Sequence, residues 1–284
     1  MTTFQNDRLR RPAGLQTLTL GDTTLTYVPD GVVELVPRRW LPDTTDEVWR
    51  AHPEYLSESG NLVASIGGLL VERDGRALLI DAGLGPETIT AEPDSPVGAG
   101  HGGALLDNLA KVGRAPSEIE TVAITHLHPD HIGWAWHPEP GSDRPAFTGA
   151  DYVLTSPEWA TRDGLTEEMV DALAPRARTV TDGQEIWPGV TAMLTPGHTA
   201  GHTSYVITSG DQRLIVLGDA LHCAIQVDHP DWSAAVDVDM AQSAQFRHRL
   251  VAELRKPDTL GYGIHFADAV FGRVTDTTPA WQPI

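Results

Sequence analysis

A single cysteine, Cys223, stands in the 284 residues, so no internal disulfide can form. That scarcity fits a reducing compartment, and a cytoplasmic location is expected. Nothing marks Cys223 as activated, and it is read as a small buried apolar residue. No apolar run approaches the ~18 residues needed to cross a bilayer. The opening MTTFQNDRLRRPAG lacks the apolar segment of a secretory leader, so none is expected. Basic residues are few: 20 Lys and Arg stand against 39 Asp and Glu, for a net charge of −19. Such a field argues against nucleic acid or an anionic membrane as the main partner. It also disfavours polyanionic substrates unless bound metals invert it locally. No clear repeat and no low-complexity linker interrupt the chain. What remains is an ordinary globular composition, 40% hydrophobic, long enough to bury a sizeable core. We read residues 1–284 as one domain.

The chemistry gathers in Ala123–Trp136, AITHLHPDHIGWAW, which places His126, His128, Asp130 and His131 within six residues. Histidines two apart cannot share a helix face. They can converge where the strand Thr121–Thr125 ends and the backbone turns. Pro129 suits the start of a following helix, with Asp130 and His131 in its first turn. Three imidazoles and a carboxylate so held suit zinc or a similar borderline metal. The plain alternative is four solvated residues on a loop.

His126-Leu-His128-Pro-Asp130-His131 resembles the HxHxDH signature of the metallo-β-lactamase fold superfamily. Four landmarks follow the family's order: Asp81 in LLIDAGLG, His198 in TPGHTAGH, Asp219 in VLGDA and His265 in GYGIHF. The resemblance runs from about Leu15 to Phe271. It implies an α/β chain folded as an αββα four-layer sandwich, two mixed sheets with helices outside and metals at one sheet edge. It also implies two divalent ions, zinc foremost, with manganese, iron or cobalt as alternatives. His126, His128 and His198 would hold the first, and Asp130, His131 and His265 the second, with Asp219 bridging. His248 competes with His265 but is expected to face solvent. Asp81 would hydrogen-bond a ligating histidine. His202 is left out of the metal set and is expected to bond nearby backbone.

The implied reaction is hydrolysis of a small molecule, with water activated between two metals at about neutral pH. Asp130 could also relay a proton. His222 stands where some lactonases of this fold carry a tyrosine that assists the substrate oxygen, and is a candidate for an analogous role. The runs His-Ile-Gly-Trp and GADYVLTSPEW are similar to the methyl parathion hydrolase-like and quorum-quenching lactonase branches. A lactone or other carboxylic ester is therefore the expected substrate. Phosphotriesters, thioesters, a specialised biosynthetic substrate and a non-catalytic metal-stabilised scaffold are the alternatives. Trp134 and Trp136 could wall an apolar pocket or pack in the core.

Elsewhere the pattern predicts a hairpin over Leu15–Val28, then a turn at Pro29-Asp30-Gly31 before a strand Val32–Val36. Arg38–Ser59 reads as an irregular excursion with a short helical candidate near Glu47–Arg50, a lid or a contact for a homodimer. Leu62–Glu72 and Ala77–Asp81 form a hairpin about Arg73-Asp74-Gly75. Thr88–Gly103 reads as a mobile loop, Leu105–Val112 as a helix, and Thr179–Ile186 as one strand. Asp239–Leu254 is the longest helix, with Met240, Ala244, Val251 and Leu254 inward. Leu260–His265 is the last strand, and Thr275–Ile284 a peripheral tail.

Overall fold

The computed structural model describes residues 7–284; the first six residues of the stretch read for a leader lie outside it. The chain opens with β1 (Gln16–Leu20) and β2 (Thr23–Leu35), then two short helices, α1 (Pro37–Trp40) and α2 (Asp46–Ala51). β3 (Leu62–Arg73) and β4 (Arg76–Ile80) follow as a hairpin, with Asp74 and Gly75 both at positive φ in its turn. Next come β5 (Thr88–Ile89), β6 (Val97–His101), α3 (Leu105–Lys111), β7 (Thr121–Ala123) and α4 (Pro129–Trp136). β8 (Asp151–Thr155), α5 (Ser156–Ala160), α6 (Glu167–Leu173) and β9 (Ala177–Val180) complete the first half. The second half holds β10 (Glu185–Trp187), β11 (Val190–Leu194), β12 (Thr203–Ser209), β13 (Gln212–Val216), α7 (Met240–Leu254), β14 (Thr259–Tyr262), β15 (Phe271–Val274) and β16 (Trp281–Pro283).

The strands form two mixed sheets. The first runs β5-β6-β2-β3-β4-β7-β8-β9, with β1 also on β2; the second runs β10 to β16 in order. Between them lie Leu25, Tyr27, Leu69 and Ile80 against Val190, Tyr205, Leu214 and Tyr262. Outside the first sheet, Leu105, Leu109, Ile132 and Trp134 cover Leu70, Leu79 and Val122. Outside the second, Leu250, Val251 and Leu254 of α7 cover Ile215. This is the αββα sandwich. β3 is covered on both faces, so Leu62–Val71 is buried without a break. Thr166 caps α6 by accepting from Met169 N, and Asp239 caps α7 by accepting from Gln242 N.

Several sequence expectations fail, each for a physical reason. Pro29-Asp30-Gly31 is a bulge inside one continuous β2, where the register to β3 jumps between Pro29 and Gly31. Thr88–Gly103 contains β5 and β6. Its glycines permit close strand approach, since a Cβ on Gly100 would lie 2.9 Å from Val32 O. Thr179–Ile186 divides at a turn and serves both sheets, as β9 and β10. On α7 the inward face is Ser243, Arg247, Leu250, Val251 and Leu254, while Met240 is exposed. β14 stops at Tyr262, so His265 lies just past the strand. The tail is not peripheral: β16 pairs with β15, and Trp281 is buried on Phe266 with Nε1 donating to Ala269 O. Within Arg38–Ser59 the short helix expected near Glu47–Arg50 is present as α2, and the segment sends Trp40, Leu41, Trp49 and Tyr55 into the core.

Candidate metal centre

The C-terminal ends of β4, β7, β11 and β13, and the turn after β14, deliver every candidate ligand to one edge of the sandwich. His126 and His128 follow β7, and Asp130 and His131 occupy the first turn of α4, which Pro129 opens. His198 comes from the turn after β11, Asp219 from the segment after β13, and His265 from beyond β14. The structure brings all seven together. His126, His128, His198 and Asp219 form one group of converging donors, and Asp130, His131 and His265 a second.

Hydrogen bonds fix which ring nitrogen faces inward. His265 Nδ1 meets Ser65 O at 2.8 Å; a carbonyl only accepts, so Nδ1 carries the proton and Nε2 keeps its lone pair. His131 Nδ1 lies 2.9 Å from Asp81 Oδ2, and His198 Nδ1 lies 2.9 Å from Asp237 Oδ1. Asp81 is itself held by Thr125, whose N and Oγ1 both donate to it. The first group thus presents His126 Nε2, His128 Nδ1 and His198 Nε2, with His128 Nδ1 at 2.9 Å and 3.0 Å from the other two. The second presents His131 Nε2 and His265 Nε2, each 3.6 Å from Asp130 Oδ2.

Asp219 lies between the groups. Its Oδ1 is 3.1 Å from both His131 Nε2 and His265 Nε2, while Oδ2 is 3.4 Å from His198 Nε2 and 3.7 Å from His126 Nε2. Oδ1 is buried, and has no partner in hydrogen-bond geometry among the described residues. An orphaned carboxylate oxygen facing several imidazole lone pairs is costly without a cation. The donor set therefore fits a pair of divalent ions. Burial, and then the neighbouring His131, hold His126 well below the ordinary histidine range, and burial pushes His128 down to about 4. Burial also acts against charge on His131, yet Asp219, Asp130 and Asp81 outweigh it and raise its pKa. Burial would lift Asp219, but His131 and His265 hold it well below the usual carboxylate range.

His222 is buried in the wall of a cavity of about 260 Å³ that opens onto this cluster. Its Nε2 is 3.2 Å from Asp219 Oδ2, but neither ring nitrogen meets hydrogen-bond geometry with any described residue. Val33, Leu35, Trp40, Leu84 and Val97 line the same cavity. Trp134 is in the core, its Nε1 donating to Asp30, and Trp136 packs against His137 with the rings tilted; neither lines the cavity. The aromatic wall is instead Trp40, edge-on to His222 at 4.9 Å. His202 bonds Thr195 through Nδ1 and accepts Asp219 N through Nε2, as expected of a group outside the metal set. His248 is exposed and pairs with Asp231.

Sequence reading missed three buried supports. Asp237 holds His198. Glu158 accepts from Leu127 N, Thr199 Oγ1 and Gly201 N, tying the His126–His128 loop to the His198 turn. Arg247 sits behind Asp237. Each lies far in sequence from the motif it serves, and only the composition of TPGHTAGH, with its small residues, hinted at a close neighbour there.

The chain is 24% identical over 201 residues to an N-acyl homoserine lactonase from Bacillus cereus, covering 66% of this chain and 76% of that enzyme. It is 34% identical over 150 residues to the anti-Pycsar protein Apyc1 of Saccharibacillus brassicae, covering 48% of this chain and only 53% of that protein. The solved structure of AidC, described as a dizinc quorum-quenching lactonase, superposes with a TM-score of 0.79 at 22% identity, over 96% of this chain and 98% of AidC. That likeness carries the fold. The family model of the metallo-beta-lactamase superfamily matches residues 69–263, a span that takes in every candidate ligand except His265. With most of its length matched, the chain belongs to the metallo-beta-lactamase superfamily.

Proposed function

We propose that this chain is a metal-dependent hydrolase that opens lactones, or cleaves other carboxylic esters, bearing an apolar acyl group. The observation that carries this reading is Asp219, whose two oxygens face two separate donor groups at the mouth of a cavity walled by aliphatic side chains. His126, His128 and His198 are the proposed ligands of one ion, Asp130, His131 and His265 of the other, with Asp219 shared. An imidazole-rich site with carboxylates suits zinc, with manganese, iron and cobalt as alternatives. Divalent ions, when bound, supply a polarising charge for a carbonyl oxygen and activate water near neutral pH.

The chain's own residues do the rest. Asp130 is the most open of the ligands on α4, its side chain 24% exposed and lining the cavity, where it can accept a proton and return it to the leaving oxygen. His222, whose pKa burial lowers despite the pull of Asp219, is the proposed N–H donor to a substrate oxygen from the wall. Val33, Leu35, Val97 and Trp40 cover an apolar chain and exclude water. The similarity to lactonases supports lactones over acyclic esters, thioesters and phosphotriesters as the proposed substrate.

Proton release by zinc- and manganese-loaded protein, against lactones, aryl esters, thioesters and phosphotriesters, tests the reading, with His126→Ala as the blank. Lactone turnover lost in His126→Ala is the expected result. Turnover of phosphotriesters alone would replace the ester reading, and turnover surviving in the variant would remove the metal from it.

A further inference from the structure

We infer that Arg247 is a positioning residue for His198, acting through the carboxylate of Asp237. The inference rests on the proposed reading of His126, His128 and His198 as ligands of one ion. Arg247 projects from the inner face of α7 and is wholly buried. Its Nε donates to Pro230 O at 2.8 Å, and its Nη1 to Ser243 Oγ at 2.7 Å and to Asp237 Oδ2 and Ala220 O at 3.3 Å. Its Nη2 donates to Ser233 Oγ. Asp237 spends its other oxygen on His198 Nδ1, at 2.9 Å, and Oδ2 also accepts Ala234 N at 3.1 Å.

A guanidinium taken out of water is expensive, and an apolar side chain of similar length could fill the same space. The contacts show what the charge accomplishes here. Pro230, Ser233 and Asp237 belong to one segment, which crosses over the His198 turn: Val238 N donates to His198 O, and Asp239 N to Gly197 O. The planar fork of Arg247 grips this segment at three places and pins it to α7 through Ser243 on the same helix. The Asp237 carboxylate is thereby fixed in rotation, and with it the plane of the His198 ring. His198 depends on this support more than His126 does. His126 follows directly from β7 and is braced by Thr125 Oγ1, whereas His198 stands on the turn after β11 with the Asp237 carboxylate as the partner of its Nδ1. A lysine has the charge but lacks the fork, and cannot serve these acceptors together.

Zinc competition against a chromophoric chelator tests this in two backgrounds. His265→Ala leaves only the first donor group complete, and His126→Ala only the second. In the His265→Ala background, Arg247→Lys is expected to weaken zinc binding by about 10- to 100-fold, as loss of a ligand's supporting partner does. In the His126→Ala background it should leave zinc binding unchanged. Asp237→Asn should reproduce the same split, and serves as the deciding variant if Arg247→Lys does not fold. Equal losses in both backgrounds, or none in either, would overturn the inference, because a general loosening of the fold does not distinguish the two groups. A parent protein that takes up no zinc would overturn the metal reading itself, and this inference with it.

Discussion

Asp30 Oδ1 accepts the indole N–H of Trp134 at 2.8 Å, joining the bulge of β2 to the middle of α4. The same carboxylate accepts four backbone N–H groups: Leu84 and Gly85 on Oδ2, and Gly103 and Leu105 on Oδ1. It thus fixes the loop after Asp81, the start of α3 and the helix that carries His131. The bonds to Leu84, Gly85, Leu105 and Trp134 are buried, where water cannot replace a missing partner, and that to Gly103 is partly buried.

Asp30→Asn keeps the shape but turns one acceptor into a donor facing donors. Leaving a buried polar group unpaired costs about 1–3 kcal/mol, so a total loss of about 2–4 kcal/mol is expected. Urea unfolding of the metal-free protein measures it. A loss under about 0.5 kcal/mol would show that the carboxylate does not anchor these segments.

Much of the candidate site is legible in the sequence because metal chemistry uses distinctive residue types at tight spacing. His126, His128, Asp130 and His131 announce themselves within six residues. Asp30 does not: between Pro29 and Gly31 it has the local composition of a turn, and only its distant donors reveal a bulge. Asp237 and Arg247 were illegible for the same reason, since their partners are set by tertiary packing. Trp281 falls in Thr275–Ile284, the stretch expected to be a peripheral tail, yet the bare backbones of Gly261 and Gly272 make room for its ring. Strand existence was mostly readable from apolar runs; strand ends and sheet membership, as at β9 and β10, depend on where the chain crosses between layers.

His137 sets a pH dependence away from the candidate ligands. Burial holds its pKa below the ordinary value, and Glu87, Glu168 and Asp30 only partly oppose this. The unfolded imidazole takes up a proton near 6.5, and the folded one only at lower pH. The unfolded state therefore binds more protons in between, and the neutral ring's contribution is full above about 6.5 and is lost as pH falls through the folded value. His137→Gln should flatten the fall in unfolding free energy between pH 8 and pH 5.5 in metal-loaded protein. An unchanged slope would refute the assignment.

Trp40 lines the cavity, and its buried Nε1 has no hydrogen-bond partner among the described residues. We predict that substrate binding brings an oxygen to that donor. Trp40→Phe keeps most of the apolar wall and removes the N–H. KM for a lactone substrate should rise about 3- to 10-fold, the value of one neutral hydrogen bond, with kcat little changed. A fall in kcat with constant KM would place the residue's effect in the chemical step instead.

Gly133 is where α4 meets the loop after β4, and no side chain fits there. A Cβ would lie 2.0 Å from the carbonyl carbon of Leu84, and 2.4 Å from Gly85 N. The approach is close because helix and loop share backbone hydrogen bonds: Ala82 N to His131 O, Gly133 N to Gly83 O, and Trp134 N to Ala82 O. Asp81 precedes this loop at φ 61°, so the loop's path also aims the carboxylate at His131. Gly133→Ala must push the helix off the loop, because the obstructing atoms are backbone and cannot rotate away. Overpacking of this kind costs about 1–3 kcal/mol. The displacement also separates His131 from Asp81, so zinc binding at the proposed Asp130, His131 and His265 site should weaken while the proposed His126, His128 and His198 site keeps its affinity. A thermal melt paired with zinc stoichiometry after dialysis reads both effects. Full retention of two ions at an unchanged melting temperature would mean that the helix reaches its place without this contact.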